Sequence, residues 1–470
     1  MIARRDFFAP ARPLERASAP AALSDADVAS RELARILDER DLRVVFQPVV
    51  DLDTGEVVAL EALACGTVGT GFEASSDLFA AARLAGRMAE LDWACRAVAF
   101  SLALGAHLPP TVALFVTVEP EAISARCPAD LVHVFAEAEG ALHIIYGVPD
   151  RTLVADPAGV LRAADHAREL GWGVAIDDVG SSRAPVALLP IFRADVIKLD
   201  LRHLRDVGPV ESGAIVTSVL RHVEVTGATL VVDGIESEAD AAWARALGAT
   251  LGKGTLLGAP GPLRERYGSP HASIALLAAP SARIDVASPF ELFVGRPLRT
   301  MGRPSLDRLA LVLALSPRPP GTWPVILVDV GRDGTVPDLI VEHGVPERTL
   351  LFVTFGTDLT REPVPGVLGV RLALDDPLAD ERFLIVLSDQ APVGIFARKS
   401  PAGYFDVVVS QDETLVYAIA HQLLRRVPGP GRNNYALAAT SVGAVASAPA
   451  VPPSSGRRWH RRRGATAESS

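Results

Sequence analysis

"GVAIDDVGSS", residues 173–182, decides how this chain is read. Its first four positions are mostly apolar, as in a strand covered on both faces, and they run straight into Asp177 and Asp178 and a small-residue turn. Two adjacent carboxylates at the end of a buried strand need cations, a shared proton or a capping role to be stable there.

Working outward, short β-rich runs alternate with longer helical patterns from residue 26 to 262. Strands are predicted at 43–50, 56–63, 112–118, 142–148, 172–177, 195–200 and 228–235, with a weak one at 250–257. Eight strands with intervening helices predict an α/β fold of the (β/α)₈ barrel type, with a doubly wound open sheet as the alternative. Both folds put functional side chains where strands run into loops, and Glu61, Thr117, Asp177, Asp178, Lys198 and Asp233 collect there. Hydrolysis of a phosphodiester with two divalent ions is one chemistry that needs such a carboxylate rim. A plain turn or helix cap would also account for the aspartate pair.

Lysine is rare in this chain: Lys198, Lys253 and Lys399 stand against a background of arginine. In "VIKLD" (196–200) Lys198 alternates inward with Val196 and Asp200, and a buried ammonium requires an anionic partner. A structural ion pair would supply one as well as a catalytic site would.

The remaining composition narrows the function. A formal charge of -10 argues against a nucleic-acid binder. Cys65, Cys95 and Cys127 show no C-x-x-C spacing, so neither a disulfide framework nor a zinc site is expected. No run is apolar enough for a signal peptide or a transmembrane segment, and a cytoplasmic location is expected. Residues 1–25 and 429–470 read as disordered, the second ending in the basic "GRRWHRRRG". Residues 263–285 read as a linker. A second α/β region spans 286–428, with strands expected at 324–330, 349–355, 366–374, 382–388 and 404–410 and a closing helix at 412–426. His421 on that helix reads as packing or surface.

"FQPVVDLDTGEVVALEAL" (46–63), "GVAIDDVG" (173–180), "VIKLD" (196–200) and "VVDGIES" (231–237), in this order and spacing, resemble the EAL domain. That family is the phosphodiesterase module for the bacterial second messenger cyclic di-GMP, a modified (β/α)₈ barrel that linearises its substrate with magnesium or manganese. Carried over, the resemblance implies Glu61, Asp177 and Asp178 as metal ligands, Lys198 as the residue that positions the attacking water and Gln47 beside a guanine base. Glu236 matches the second glutamate of the family's E-G-V-E segment, and its first glutamate is shortened to Asp233.

Other positions depart from the family. Its metal-ligating asparagine on the third strand is Thr117, and its glutamate on the fourth is Gly147, with Asp150 nearby. A phosphate-binding arginine is Cys65, and the loop after Asp178 reads "SSRAP". Lys253 stands where the family has a late glutamine. Its ammonium, with that of Lys198, is expected to neutralise Glu61, Asp177, Asp178 and Asp233 in place of a metal ion; the alternative is that Lys253 points into solvent.

The second region resembles a DICT sensory domain, through "SPFELF" (288–293), "PVILVDV" (324–330), "DDPLADERFLIVLS" (375–388) and "YFDVVVSQDETLVYAIAHQLL" (404–424). Together the two resemblances imply a bacterial signalling protein whose degenerate EAL domain binds cyclic di-GMP or a signalling protein partner without cleaving it. No cofactor is expected, with Mg²⁺ or Mn²⁺ needed only if residual activity persists. Two alternatives stay open: a weak metal-dependent phosphodiesterase giving linear pGpG, and an interaction scaffold. A homodimer is compatible with each.

Overall fold

A computed structural model describes residues 25–429, apart from 68, 124, 181–184, 278–285, 315, 317–322, 333–344, 346–347 and 389–390. The expected disordered N-terminus and tail therefore fall almost entirely outside the described residues, as do most of "SSRAP" and the end of the expected linker.

Strands β1 (Leu42–Asp51), β2 (Val57–Gly66), β3 (Ala113–Thr117), β4 (His143–Pro149), β5 (Gly173–Val179), β6 (Val196–Asp200), β7 (Thr229–Asp233) and β8 (Leu251–Gly252) close a barrel in sequence order. β1 runs antiparallel to both of its neighbours, β2 and β8, while the remaining pairs are parallel. The reversal comes from a tight turn in which Gly55 adopts φ 73° and the Asp51 carboxylate accepts from the N–H groups of Asp53 and Thr54. β8 is far shorter than the expected 250–257. After Gly252 the chain folds back on the β7 end, where the Ile235 N–H donates to the Lys253 carbonyl at 3.0 Å.

Alternation along the strands builds the interior in layers. Ala59, Phe115, Ile145, Ala175, Val196, Val231 and Leu251 form one apolar layer inside the barrel. Ile274 joins that layer from the segment expected to be a free linker. The segment is held there because the Leu277 N–H donates to Asp195 Oδ1 at 2.6 Å and the His271 N–H to Glu56 Oε2 at 3.0 Å. A β carbon on Gly173 would lie 2.6 Å from the Leu276 side chain, so a glycine is what lets this segment pass.

A second, seven-stranded sheet follows, in the order β12-β11-β10-β13-β14-β15-β9. Its strands are β9 (Arg299–Met301), β10 (Val325–Gly331), β11 (Leu351–Gly356), β12 (Leu368–Arg371), β13 (Glu381–Leu387), β14 (Val393–Lys399) and β15 (Phe405–Ser410). β9 and β14 were not expected from the sequence, and β12 is shorter than the run at 366–374. The helix Glu413–Leu424 forms where expected, capped by the Asp412 carboxylate. It packs on this sheet and on the barrel together: Ile419 and Leu423 belong to the same buried cluster as Phe396 of β14 and Phe192 of the barrel. No helix among the described residues is long and apolar enough to cross a membrane.

Candidate functional site

The site lies one step above the apolar layer. Two residues beyond each layer member, the alternation turns another side chain inward. Ala59 leads to Glu61, Phe115 to Thr117, Ile145 to Gly147, Ala175 to Asp177, Val196 to Lys198, Val231 to Asp233 and Leu251 to Lys253.

Five of these residues form a charge-alternating line across the barrel mouth. Lys198 Nζ lies 2.6 Å from Asp177 Oδ2 and 3.0 Å from Glu61 Oε1; Lys253 Nζ lies 2.5 Å from Glu61 Oε2 and 2.8 Å from Asp233 Oδ2. All five are buried, from 1 % exposed for Lys198 to 7 % for Asp233. The Phe115 ring sits beneath Lys198, 5.7 Å from its ammonium.

The electrostatics follow from this contact order. Burial alone would raise the Glu61 carboxyl, but the ammonium groups of Lys198 and Lys253 outweigh it and hold the group at about 2. Burial pushes the Asp177 carboxyl up to about 6, with Lys198 pulling against it. Burial also works against the charge on each lysine, yet the surrounding carboxylates win and both are raised above the ordinary lysine value. Both stay protonated near neutral pH.

Other expected site residues stand apart from this line. Asp178, expected among the carboxylates neutralised by the lysines, turns outward instead. Its backbone adopts a left-handed φ of 59°, its side chain is 40 % exposed, and its carboxylate faces Arg151 at 3.6 Å. Glu236 is exposed beyond β7, and its N–H donates to Asp240 Oδ2. Gln47 is buried opposite Glu61 in the β1–β2 register and donates to the Gly258 carbonyl at 3.1 Å. Cys65 is partly exposed near the end of β2, and Thr117 is half-buried at the end of β3. A β carbon on Gly147 would lie 3.6 Å from Asp177 Oδ2, so this position opens onto the site and contributes no group to it. Burial, and next the nearby Asp178, push the Asp150 carboxyl up to about 7.

Sequence reasoning missed the arginines at the rim. Arg202 pairs with Asp200 at 2.6 Å and approaches Asp233 at 3.9 Å, and Arg151 pairs with Glu119 at 3.1 Å. A signal was present: each follows closely on the carboxyl end of a strand, β6 and β4. In an arginine-rich chain it did not stand out.

The set does not fit a divalent ion. Among the described residues no three His, Cys, Asp or Glu side chains converge to hold one. Ammonium groups stand between Asp177 and Glu61 and between Glu61 and Asp233, and the ends of β3 and β4 present a hydroxyl and no side chain at all.

The EAL domain family profile matches residues 30–260. The cyclic di-GMP phosphodiesterase RocR of Pseudomonas aeruginosa is 26% identical over 243 residues, covering 49% of this chain and 60% of that protein. The cyclic di-GMP phosphodiesterase PA2567 of the same organism is 27% identical over 229 residues, covering 47% and 39%. The chain thus spans less than two thirds of the length of these relatives. Among solved structures, the FimX EAL domain from Pseudomonas aeruginosa bound to c-di-GMP aligns at 20% identity and a TM-score of 0.44, over 52% of this chain and 99% of that one. The profile match coincides with the closed barrel, and residues 30–260 of this chain belong to the EAL domain family.

Proposed function

We propose that this protein acts in cyclic di-GMP signalling as a regulator whose EAL barrel binds the nucleotide without hydrolysing it. The single observation that carries the reading is the composition of the strand ends. Thr117 and Gly147 stand where the family resemblance calls for ligands, and the carboxylates that remain are held by lysine side chains. In this reading Asp177 and Lys198 fix one another and shape the floor of the mouth, while the buried Gln47 offers its amide toward a base. Among the described residues, Lys198, which the resemblance assigns to positioning water, has its ammonium engaged by Asp177 and Glu61.

Residues 26–262 would be the nucleotide unit, 263–285 the connection and 286–428 a DICT-like sensory unit. A cytoplasmic location is part of the same proposal. Equilibrium dialysis with cyclic di-GMP, followed by chromatography of the nucleotide after incubation with Mn²⁺, tests it. Bound and intact nucleotide is the expected result. Conversion to linear pGpG would favour a weak phosphodiesterase, and no binding would favour an interaction scaffold; either would overturn the reading.

A further inference from the structure

Three carboxylates from three strands, Glu61 of β2, Asp177 of β5 and Asp233 of β7, share a space that water scarcely reaches. Lys198 balances one of their charges. Arg202 is paired with Asp200 and comes only to 3.9 Å from Asp233, so without a further cation the cluster would set three carboxylates against the one ammonium in close contact with them, an arrangement that a low-dielectric interior opposes strongly.

The second cation is covalently part of the chain. Lys253 follows directly on β8, and its backbone is pinned from both sides: its N–H donates to the Val232 carbonyl at 2.9 Å and its carbonyl accepts from the Ile235 N–H at 3.0 Å. The next residue is as constrained, since a β carbon on Gly254 would lie 2.0 Å from the Ile235 carbonyl oxygen. Leu251 occupies the apolar layer, so the alternation sends the Lys253 side chain inward. This lysine is built into the mouth by the backbone and is not a surface side chain that happens to reach it.

We propose that Lys253 is a built-in cation. Its ammonium permanently fills the position between Glu61 and Asp233 that would otherwise need a divalent ion, so the mouth is assembled and charge-balanced with no metal bound. A divalent ion entering there would have to displace a tethered ammonium held at 2.5 and 2.8 Å. The inference deepens the reading of the barrel as a non-hydrolysing domain. If that reading holds, nucleotide binding is indifferent to divalent ions and to chelators.

The test uses the full chain and no nucleotide, so failure of the cyclic di-GMP reading would leave its outcome intact. Thermal melting and calorimetric titration are run with MnCl₂, MgCl₂ and EDTA. For the wild type, neither ion nor chelator is expected to move Tm, and no saturable heat should appear. For Lys253→Gln, Mn²⁺ at a hundredfold excess over its Kd is expected to raise Tm by about 3 °C, reversed by EDTA.

Saturable Mn²⁺ binding by the wild type would overturn the proposal, as would a folded Lys253→Gln that ignores the ion. If Lys253→Gln does not fold, the double variant Lys253→Gln/Asp233→Asn decides. It removes the cation together with one carboxylate partner, and recovery of folding is expected. A double variant as unstable as the single one would show that Lys253 matters for its bulk and not its charge.

Discussion

Arg221, on the barrel helix Pro209–Thr226, meets Glu413, the first residue of the helix Glu413–Leu424, at 2.5 Å, so the two halves of the chain are joined by a direct ion pair. Arg425 and Asp165 make a second pair across the same boundary. Because Arg221 and Glu413 are both nearly half exposed, each of the single reversals Arg221→Glu and Glu413→Arg is expected to cost about 0.5 kcal/mol, with the double reversal restoring most of it. Urea melts of the four proteins would check this, and additive costs would mean that the two side chains are not coupled.

The apolar part of that boundary should matter more. Leu423→Ala removes a side chain packed in the cluster that contains Phe192 and Phe396, and a loss of about 3 kcal/mol is expected. Since barrel and sheet contribute to one core, calorimetry should show a single transition moving to lower temperature. Two transitions, with only the later one shifted, would indicate independent halves.

In the mouth, Lys198→Met leaves Asp177 and Glu61 without their shared ammonium in a buried site. The expected cost is about 3 to 5 kcal/mol, measured as a lowered midpoint in denaturant. An unchanged midpoint would show that the carboxylates find another partner.

Gly147 makes a graded test of the same space. A methyl group there meets only ordinary contacts of 3.5 to 3.6 Å, so Gly147→Ala is expected to stabilise by about 0.5 kcal/mol through reduced freedom of the unfolded chain. Gly147→Glu would place another carboxylate beside Asp177 and should lower Tm. Equal effects of the two substitutions would argue that the position does not open onto the site.

Asp150 gives a prediction in pH. Its folded value, about 7, lies above the ordinary aspartate value of 3.8, so between these limits the folded chain holds a proton that the unfolded chain releases. Its contribution to stability is therefore fully present below about pH 4 and is lost as pH rises through 7. Asp150→Asn should remove this component, so that the variant gains on the wild type as pH rises from 4 to 8. Parallel Tm profiles for the two proteins would contradict the assignment.

Much of the candidate site could be read in the sequence because period-two alternation carries its own geometry. Once Val196 is placed inward, Lys198 follows, and the same step takes Ala175 to Asp177 and Leu251 to Lys253. Asp178, one step on from the inward Asp177, falls on the opposite face by the same alternation, and only its left-handed backbone, a local choice that aspartate permits, is not revealed by the pattern. β14 was missed because "VGIFARK" carries a glycine and two basic residues, although its partner β13 supplies the register through Phe383 and Phe396. β9 is three residues long and depends on β15 for its definition. The docking of residues 271–277 depends on cavity shape at the far end of the barrel, and composition describes that stretch only as loop-like.

Ile274 turns that docking into a mechanical constraint. The chain leaving the barrel passes beneath it and leaves the Ile274 side chain as a cork in its floor, in the same buried cluster as Val196 and Val231. Once the helix Glu413–Leu424 has come away from the barrel, any pull that straightens this stretch must draw the cork, which would expose the bottom of the β6 and β7 stems that carry Lys198 and Asp233. Traction at one end of the molecule would thus be felt as loosening at the other.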